Sequence, residues 1–182
     1  MALSALCAGC AGLPDPGIPV APSLAARAIV FDIDGTLTPD VYEFTAVRPG
    51  AAAAVHAYAR RGYKIIYLSN RVRFLQQGIP AWLQQHGFPD GSIHVAQTDA
   101  DHDHPVAFKR RILQGFVRRG WWLAGAYGDS SSDFQAYAEA GISPRHVFAL
   151  LRKGQTRCQP GPWRACLRHW TQDPPVMTSR PD

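Results

Sequence analysis

Between residues 26 and 150 the sequence alternates short apolar runs with segments of helical character, and this alternation limits the possible folds more than any other feature. The apolar runs resemble strands that are buried on both faces of a sheet. The segments between them carry helix signals, with proline in a first turn and glycine at an end. The predicted strands span 28–31, 63–68, 92–96, 121–127 and 146–150, and the predicted helices span 49–61, 105–119 and 131–140, with a broken helical region ending at residue 86.

Strands that alternate with helices predict an α/β domain, in which a parallel sheet carries helices on both faces. The chain of 182 residues is 46% hydrophobic and 18% charged, which is typical of a globular domain and excludes a disordered chain. We predict a leader or tether over residues 1–24, one domain over 25–172 and a disordered tail over 173–182. In sheets of this kind ligands bind at the carboxyl ends of the strands, so the residues that follow each strand matter most.

The first predicted strand ends in Asp32-Ile-Asp34-Gly35-Thr36. Hydrolysis of a phosphate ester needs a nucleophile and a proton donor for the leaving oxygen. Asp32 can attack phosphorus, and Asp34 can protonate the leaving alcohol and then activate water. Gly35 lets the chain turn closely past the site. An acidic turn that caps a helix is the alternative interpretation.

Polar residues also follow the other strands. Ser69 and Asn70 follow the second strand and can hold phosphate oxygens, although Ser69 could equally cap a helix. Lys109 can bind phosphate as a point charge, or lie on a solvated helix face. Asp129 and Asp133 follow the fourth strand and suit Mg²⁺, which prefers carboxylate oxygens, or they could cap the next helix.

Taken together, these four signals resemble the four motifs of the haloacid dehalogenase superfamily, over about residues 26–150. The resemblance implies a Rossmann-like fold, an aspartyl-phosphate intermediate and Mg²⁺ as cofactor. It implies that Asp32 and Asp129 bind the metal through their side chains and Asp34 through its backbone carbonyl. It also implies that Ser69 and Lys109 hold phosphate. It implies further that Asp133 supports the metal site, and we predict Gly35, Thr36 and Arg71 as additional supporting residues.

Finer details resemble lipins, the phosphatidate phosphatases, and the related C-terminal domain of phosphatidylinositol transfer proteins. The segments that carry this resemblance are 32–38, 67–71, 82–91, 105–109 and 141–148. The resemblance implies phosphatidate or a related lipid phosphate as substrate, presented at a membrane surface. Asp129 stands where lipins have Asn. The transfer-protein relatives lack the nucleophile and bind phosphatidate without hydrolysis, so Asp32 sets this chain apart from them.

Spacing gives an independent argument about the substrate. Only 34 residues separate Asp34 from Ser69, and 39 separate Ser69 from Lys109, so no large cap domain fits. The expected open site suits a phosphate carried on a bulky object such as a lipid. Two alternatives remain: a phosphatase for soluble phosphomonoesters such as nucleotides or sugar phosphates, and a non-catalytic module that binds phosphatidate.

The remaining features concern charge, cysteines and location. The net charge of +5 favours anionic partners, and we expect no nucleic acid among them. Ala8-Gly9-Cys10 resembles the end of a bacterial lipoprotein signal, which predicts a periplasmic or membrane-anchored protein; a cytoplasmic protein is the alternative. Cys158 and Cys166 could be bridged or free. The stretch 99–104, rich in Asp and His, is either a metal cluster or a polar loop.

Overall fold

A computed structural model describes residues 12–170 of the chain, in which six strands and five α-helices follow one another. The strands are β1 (Arg27–Asp32), β2 (Lys64–Ser69), β3 (Ser92–Val95), β4 (Trp122–Gly128), β5 (Val147–Leu150) and β6 (Ala165–Leu167). The helices are α1 (Ala51–Ala59), α2 (Ile79–Gln85), α3 (Asp99–Asp103), α4 (Pro105–Arg118) and α5 (Ser131–Glu139). Short 3₁₀ turns lie at Arg73–Leu75 and Pro144–His146.

All six strands are parallel and lie in the order β3-β2-β1-β4-β5-β6. The chain reverses its direction across the sheet between β1 and β4, which places a topological switch point beside β1. Within residues 12–170 the connection 33–50 is a loop and the connection 70–78 contains one short 3₁₀ turn, and neither forms a cap domain. The predicted parallel α/β sheet, its first five strands and the lack of a large cap are therefore confirmed.

Helices cover both faces of the sheet. Successive side chains of a strand point to opposite faces, and β1 shows this directly. Ile29 and Phe31 belong to one core cluster together with residues of α1, whereas Ala28 and Val30 belong to a second cluster with residues of α4. β1 is thus buried on both sides, which explains why its sequence is continuously apolar rather than alternating.

The sixth strand was not predicted from the sequence. β6 is three residues long and its side chains are partly or fully exposed, so it has no apolar run. It pairs with β5 in parallel, with Ala149 opposite Cys166. Cys166 forms a disulfide bond with Cys158, at a Cα–Cα distance of 5.8 Å. Of the two alternatives left open for this cysteine pair, the structure contains the bridged one.

The described part of the predicted tether, residues 12–24, differs from the prediction because it lies against the domain. Gln97 Nε2 donates to the carbonyl oxygen of Leu13 at 2.9 Å. Trp121 Nε1 donates to the carbonyl oxygen of Pro19 at 2.8 Å. Residues 12–24 therefore pack along the domain instead of forming a free tether.

The rest of the predicted leader, with Cys7 and Cys10, and the predicted tail over 173–182 lie outside the described residues. Across residues 12–170, none of the helices has the length and apolar character that crossing a membrane requires.

Candidate active site

The carboxyl ends of the central strands border a cavity of about 410 Å³. Seven residues that the sequence predicted for the site line it together: Asp32, Asp34, Asn70, Arg71, Lys109, Asp129 and Asp133. The remaining predicted residues, Gly35, Thr36 and Ser69, lie behind this lining and contact it. The residues that the sequence placed after separate strands are thus neighbours in the fold.

Asp32 is the last residue of β1 and is only 3% exposed. One of its carboxylate oxygens accepts a hydrogen bond from Thr36 Oγ1 at 2.9 Å. The other accepts from Lys109 Nζ at 2.6 Å. Both oxygens are held by groups from different elements, so the direction of this carboxylate is fixed.

Lys109, in the second turn of α4, lies between two carboxylates and is 2% exposed. Its Nζ also donates to Asp133 Oδ1 at 2.5 Å. Burial opposes the charge on Lys109, but the carboxylates of Asp133 and Asp32 outweigh burial and raise the pKa of the ammonium group. The fixed positive charge expected beside a phosphate is therefore present at the floor of the cavity.

One ammonium group cannot balance two buried carboxylates equally. Burial raises the pKa of Asp133, but the charge and hydrogen bond of Lys109 and the hydrogen bonds of Ser130 lower it below its ordinary value. For Asp32, burial and the nearby charge of Asp133 outweigh the attraction of Lys109, so its pKa lies well above the ordinary value. Additional positive charge at this site would favour the ionised form of Asp32.

Asp133 is positioned by the first turn of α5. Ser130 caps this helix, and Asp133 Oδ2 accepts hydrogen bonds from Ser130 N at 3.1 Å and Ser130 Oγ at 2.8 Å. The backbone N–H of Asp129 donates to the same oxygen at 3.2 Å. Asp133 thus takes part in the cap of α5 and also lines the cavity, so the helix-cap interpretation is confirmed and the role of this residue at a metal site stays a prediction.

Asp129 follows β4 and packs directly against Gly35. A Cβ atom at Gly35 would lie 2.0 Å from Asp129 Oδ2, and Gly35 has a positive φ of 84°, so only glycine fits there. Arg152 Nε donates to the same carboxylate oxygen. Burial and the charge of Asp133 raise the pKa of Asp129 to about 7, although Arg152 and Lys109 lower it.

Three of these carboxylates can meet at one metal ion. Oxygen atoms of Asp32, Asp129 and Asp133 lie within 4.8 Å of one another, and within residues 12–170 they are the one such group of His, Cys, Asp or Glu. The donors are all hard oxygen atoms, which fit Mg²⁺ better than a softer metal. The predicted metal-binding role of the Asp34 backbone carbonyl stays a prediction.

Asp34 faces the other side of the cavity. Its Oδ2 accepts from Ser69 Oγ at 2.7 Å, and its Oδ1 accepts from Arg71 Nε at 3.1 Å and from Arg71 Nη2 at 2.5 Å. The Arg71 guanidinium also packs on the ring of Phe44, 4.8 Å from the ring centre. Ser69, predicted to hold phosphate, is buried and orients Asp34 in this structure.

The stretch 99–104 is not a loop as one interpretation held. Thr98 Oγ1 accepts from the backbone N–H of Asp101 at 3.1 Å and caps α3, which spans Asp99–Asp103. His102 Nδ1 lies 2.7 Å from the carbonyl oxygen of Asn70 and so connects α3 to the segment after β2. These contacts give the stretch a structural role, and its residues are not brought together as metal ligands.

Sequence reasoning missed two arginines that shape the site. Arg48 is buried, and its guanidinium donates to the carbonyl oxygens of Gly35 at 2.7 Å and Leu151 at 2.8 Å. Arg152 contacts Asp129, as described above. Arg152 lies two positions beyond the end of the fifth predicted strand, so examining the residues that follow that strand would have found it. Arg48 contacts backbone atoms alone at this site, and no sequence pattern signals such contacts.

Comparisons with known proteins show the family of this chain. The family model described as PITM 1-3, LNS2 domain, matches residues 29–151. The chain is 33% identical over 144 residues to membrane-associated phosphatidylinositol transfer protein 1 of Rattus norvegicus, covering 75% of this chain and 11% of the relative. It is 32% identical over 133 residues to protein retinal degeneration B of Drosophila melanogaster, covering 71% of this chain and 10% of that protein. The chain thus spans about a tenth of the length of these relatives.

A solved structure shares the fold. The crystal structure of D,D-heptose 1.7-bisphosphate phosphatase from B. bronchiseptica, complexed with magnesium and phosphate, superimposes with a TM-score of 0.56 at 23% identity. The superposition covers 77% of this chain and 92% of that one. The fold is therefore the haloacid dehalogenase fold that the sequence motifs predicted.

Proposed function

This chain belongs to the family described as PITM 1-3, LNS2 domain. From the geometry of its site we propose that it is a phosphatase in which Asp32 becomes phosphorylated. The observation that carries the proposal is the environment of Asp32, which lies between Thr36 and Lys109 in a cavity shared with Asp129. Burying several carboxylates together is unfavourable for folding unless they are paired, and such clusters are typical of catalytic sites.

In the proposed reaction a lone pair of an Asp32 carboxylate oxygen attacks the phosphorus atom of a phosphomonoester, and the bond from phosphorus to the leaving oxygen breaks. Asp34 donates a proton to that oxygen, which leaves as an alcohol. Asp34 then takes a proton from water, and the water oxygen attacks the aspartyl-phosphate to release inorganic phosphate and restore Asp32. The hydrogen bonds from Ser69 and Arg71 keep the Asp34 carboxyl group in one orientation.

Mg²⁺ is the proposed cofactor, and Asp32 and Asp129 would hold it, with Asp133 supporting the site. When bound, the ion supplies positive charge that offsets the negative charge of the phosphate oxygens. Lys109 supplies a second fixed charge beside Asp32, which reduces the repulsion between the nucleophile and its anionic substrate.

The proposed substrate is phosphatidate or a related lipid phosphate. The named relatives include membrane-associated phosphatidylinositol transfer proteins, which supports a lipid ligand for this shared domain. The alignment covers about a tenth of the length of these relatives. The proposal therefore concerns this shared domain and not the remainder of those proteins. The lipin-like motifs around Asp32 and Lys109 support the same substrate class.

Attachment to a membrane through Cys10 is a separate part of the proposal. A diacylated cysteine anchors a protein stably, whereas one acyl chain does not. The Cys158–Cys166 disulfide is compatible with an oxidising compartment, where such bonds persist. Mass spectrometry of the N-terminal peptide from cells that express the full gene should find diacylglycerol on Cys10; an unmodified peptide from the membrane fraction would contradict this part alone.

The decisive test measures phosphate release from phosphatidate in vesicles and from a panel of soluble esters. We expect turnover of phosphatidate with Mg²⁺, none after EDTA, and recovery when Mg²⁺ is restored. Asp32→Asn serves as the control for contaminating phosphatases. Turnover of soluble esters alone would indicate a phosphatase for soluble phosphomonoesters. Binding of phosphatidate without any turnover would indicate a binding module and would overturn the enzymatic proposal.

A further inference from the structure

Two exposed aromatic side chains flank the cavity. Tyr42 is 83% exposed in the loop between β1 and α1, and Phe74 is 67% exposed in the 3₁₀ turn after β2. The other large exposed apolar residues among those described are Val20, Leu24 and Val117. These three lie beside the amino ends of β1 and β4, at the opposite end of the sheet from the cavity.

Apolar surface continues from these aromatic residues into the cavity. Val41 and Phe44, within two positions of Tyr42 in the chain, line the cavity, and so do Val72 and Leu75, within two positions of Phe74. The contact between Arg71 and the ring of Phe44 joins the two segments. Since the carboxylates come from the strand ends and the apolar residues from the loops beyond them, the cavity is charged at its floor and apolar toward its mouth.

We propose that this rim, defined by Tyr42 and Phe74, docks on the surface of a phospholipid bilayer and inserts both aromatic side chains at the boundary of headgroups and acyl chains. Single exposed apolar residues are common, but here two of them flank one polar cavity. Aromatic residues favour the membrane interface. A phosphate at the charged floor would leave the diacylglycerol part of a lipid against the apolar walls.

Charge at the rim is compatible with an anionic membrane. Arg73 is exposed directly beside Phe74, and basic residues near a membrane attract anionic headgroups. Glu43, next to Tyr42, is paired with Lys153 Nζ at 2.5 Å, so its charge is balanced. The inference rests on the proposed function, because it names the surface on which the phosphorylated substrate is presented.

The test compares rim variants with a matched exposed residue elsewhere. Phe74→Ser and Tyr42→Ser remove the aromatic groups. Leu24→Ser removes an apolar group that is even more exposed, at 93%, and lies at the other end of the sheet. Binding to phosphatidylcholine vesicles, with and without phosphatidate, is measured by flotation in an Asp32→Asn background so that the lipid is not consumed. The double rim variant should bind roughly tenfold more weakly or worse, and Leu24→Ser should bind like its parent.

Activity on p-nitrophenyl phosphate separates the two proposals. With Asp32 restored, Phe74→Ser should lower phosphatidate hydrolysis in vesicles far more than hydrolysis of this soluble ester. If the parent hydrolyses neither substrate but vesicle binding still depends on the rim, the phosphatase proposal fails and the docking surface stands. Vesicle binding that is equal in the parent and the double rim variant would overturn the docking surface. A dimer seen by light scattering that Phe74→Ser dissociates would assign the rim to a second copy of the chain, which also overturns it.

Discussion

Asp32 and Asp34 belong to one tight turn, two positions apart, but their surroundings differ. Asp32 lies on a closed side of the cavity with Lys109 and Asp133, and each of these three residues is at most 3% exposed. Asp34 lies on an open side, where its side chain is 16% exposed and is held by Arg71 and Ser69. Two identical side chains therefore meet one environment that buries a carboxylate and another that water can reach.

The difference suits the two proposed roles. A nucleophile must keep one geometry through the reaction, and buried charges that balance one another provide it. A group that gives and takes protons must reach the leaving oxygen and water, which the open side allows. The closed side should therefore govern stability as well as activity, whereas the open side should govern mainly activity.

The largest expected effect comes from exchanging each carboxyl group for an amide. Asp32→Asn should lower kcat on a soluble ester by roughly 10⁴-fold or more, because the nucleophile is lost. Asp34→Asn should lower kcat by about 10²- to 10⁴-fold, because general acid–base catalysis is lost and the nucleophile remains. Circular dichroism should show that both variants are folded. An Asp32→Asn protein with most of its activity would contradict the mechanism.

Removing the cation on each side tests the contrast in stability. Lys109→Met leaves Asp32 and Asp133 buried without their partner and should lower the free energy of unfolding by about 3–5 kcal/mol. Arg71→Met leaves Asp34 with Ser69 and solvent and should lower it by only about 1–2 kcal/mol. Urea unfolding measures both values. Equal losses in the free energy of unfolding would show that the closed and open sides of the cavity contribute equally to stability.

The disulfide bond provides a reference outside the cavity. It closes a short loop, and replacing Cys158 and Cys166 by serine should lower the free energy of unfolding by about 2–3 kcal/mol. Activity on a soluble ester should stay unchanged, because neither cysteine lines the cavity. The Lys109→Met variant, by contrast, should lose both stability and activity on the soluble ester. A loss of activity in the serine variant would connect β6 to the site.

The smallest expected effect comes from His94 and concerns the pH dependence of the free energy of unfolding. This dependence must be known before pH studies of the site are interpreted. Burial lowers its pKa, although Asp15, whose Oδ1 is 3.4 Å from His94 Nδ1, raises it. The folded state then disfavours the protonated ring, so the unfolded state binds more protons as pH falls below about 6.5, and stability falls with it. His94→Phe should flatten this dependence between about pH 7 and pH 5. An unchanged slope would show that His94 does not cause this dependence.

Much of the site could be predicted because its residues follow strands. Asp32, Asp34 and Asp129 each come after an apolar run, and the topology of a parallel sheet brings such positions together. The spacing of Asp133 from Asp129 placed it in the first turn of a helix. The group that Ser69 faces could not be predicted, because a hydroxyl after a strand can turn toward phosphate or toward a neighbouring carboxylate.

The rest of the fold depends on contacts that leave no pattern. β6 is short and exposed, so neither length nor apolar periodicity distinguishes it from a loop. The N-terminal segment is held by side chains such as Gln97 and Trp121, which bind its backbone carbonyls whatever its sequence is. Arg48 contacts a carbonyl 103 residues away. Backbone groups are the same at every position, so sequence alone does not show which of them are contacted.

Arg48 also has a consequence for how this protein can vary. Its backbone N–H donates to the carbonyl oxygen of Leu37 at 2.8 Å, and its guanidinium donates to that of Pro39 at 3.1 Å. The two ends of the loop over 39–47 are therefore fastened to each other, independently of what lies between them. Loops with closed ends accept changes in length and composition. The loop over 39–47 can therefore change in length and sequence while the turn that carries Asp32 and Asp34 stays in place.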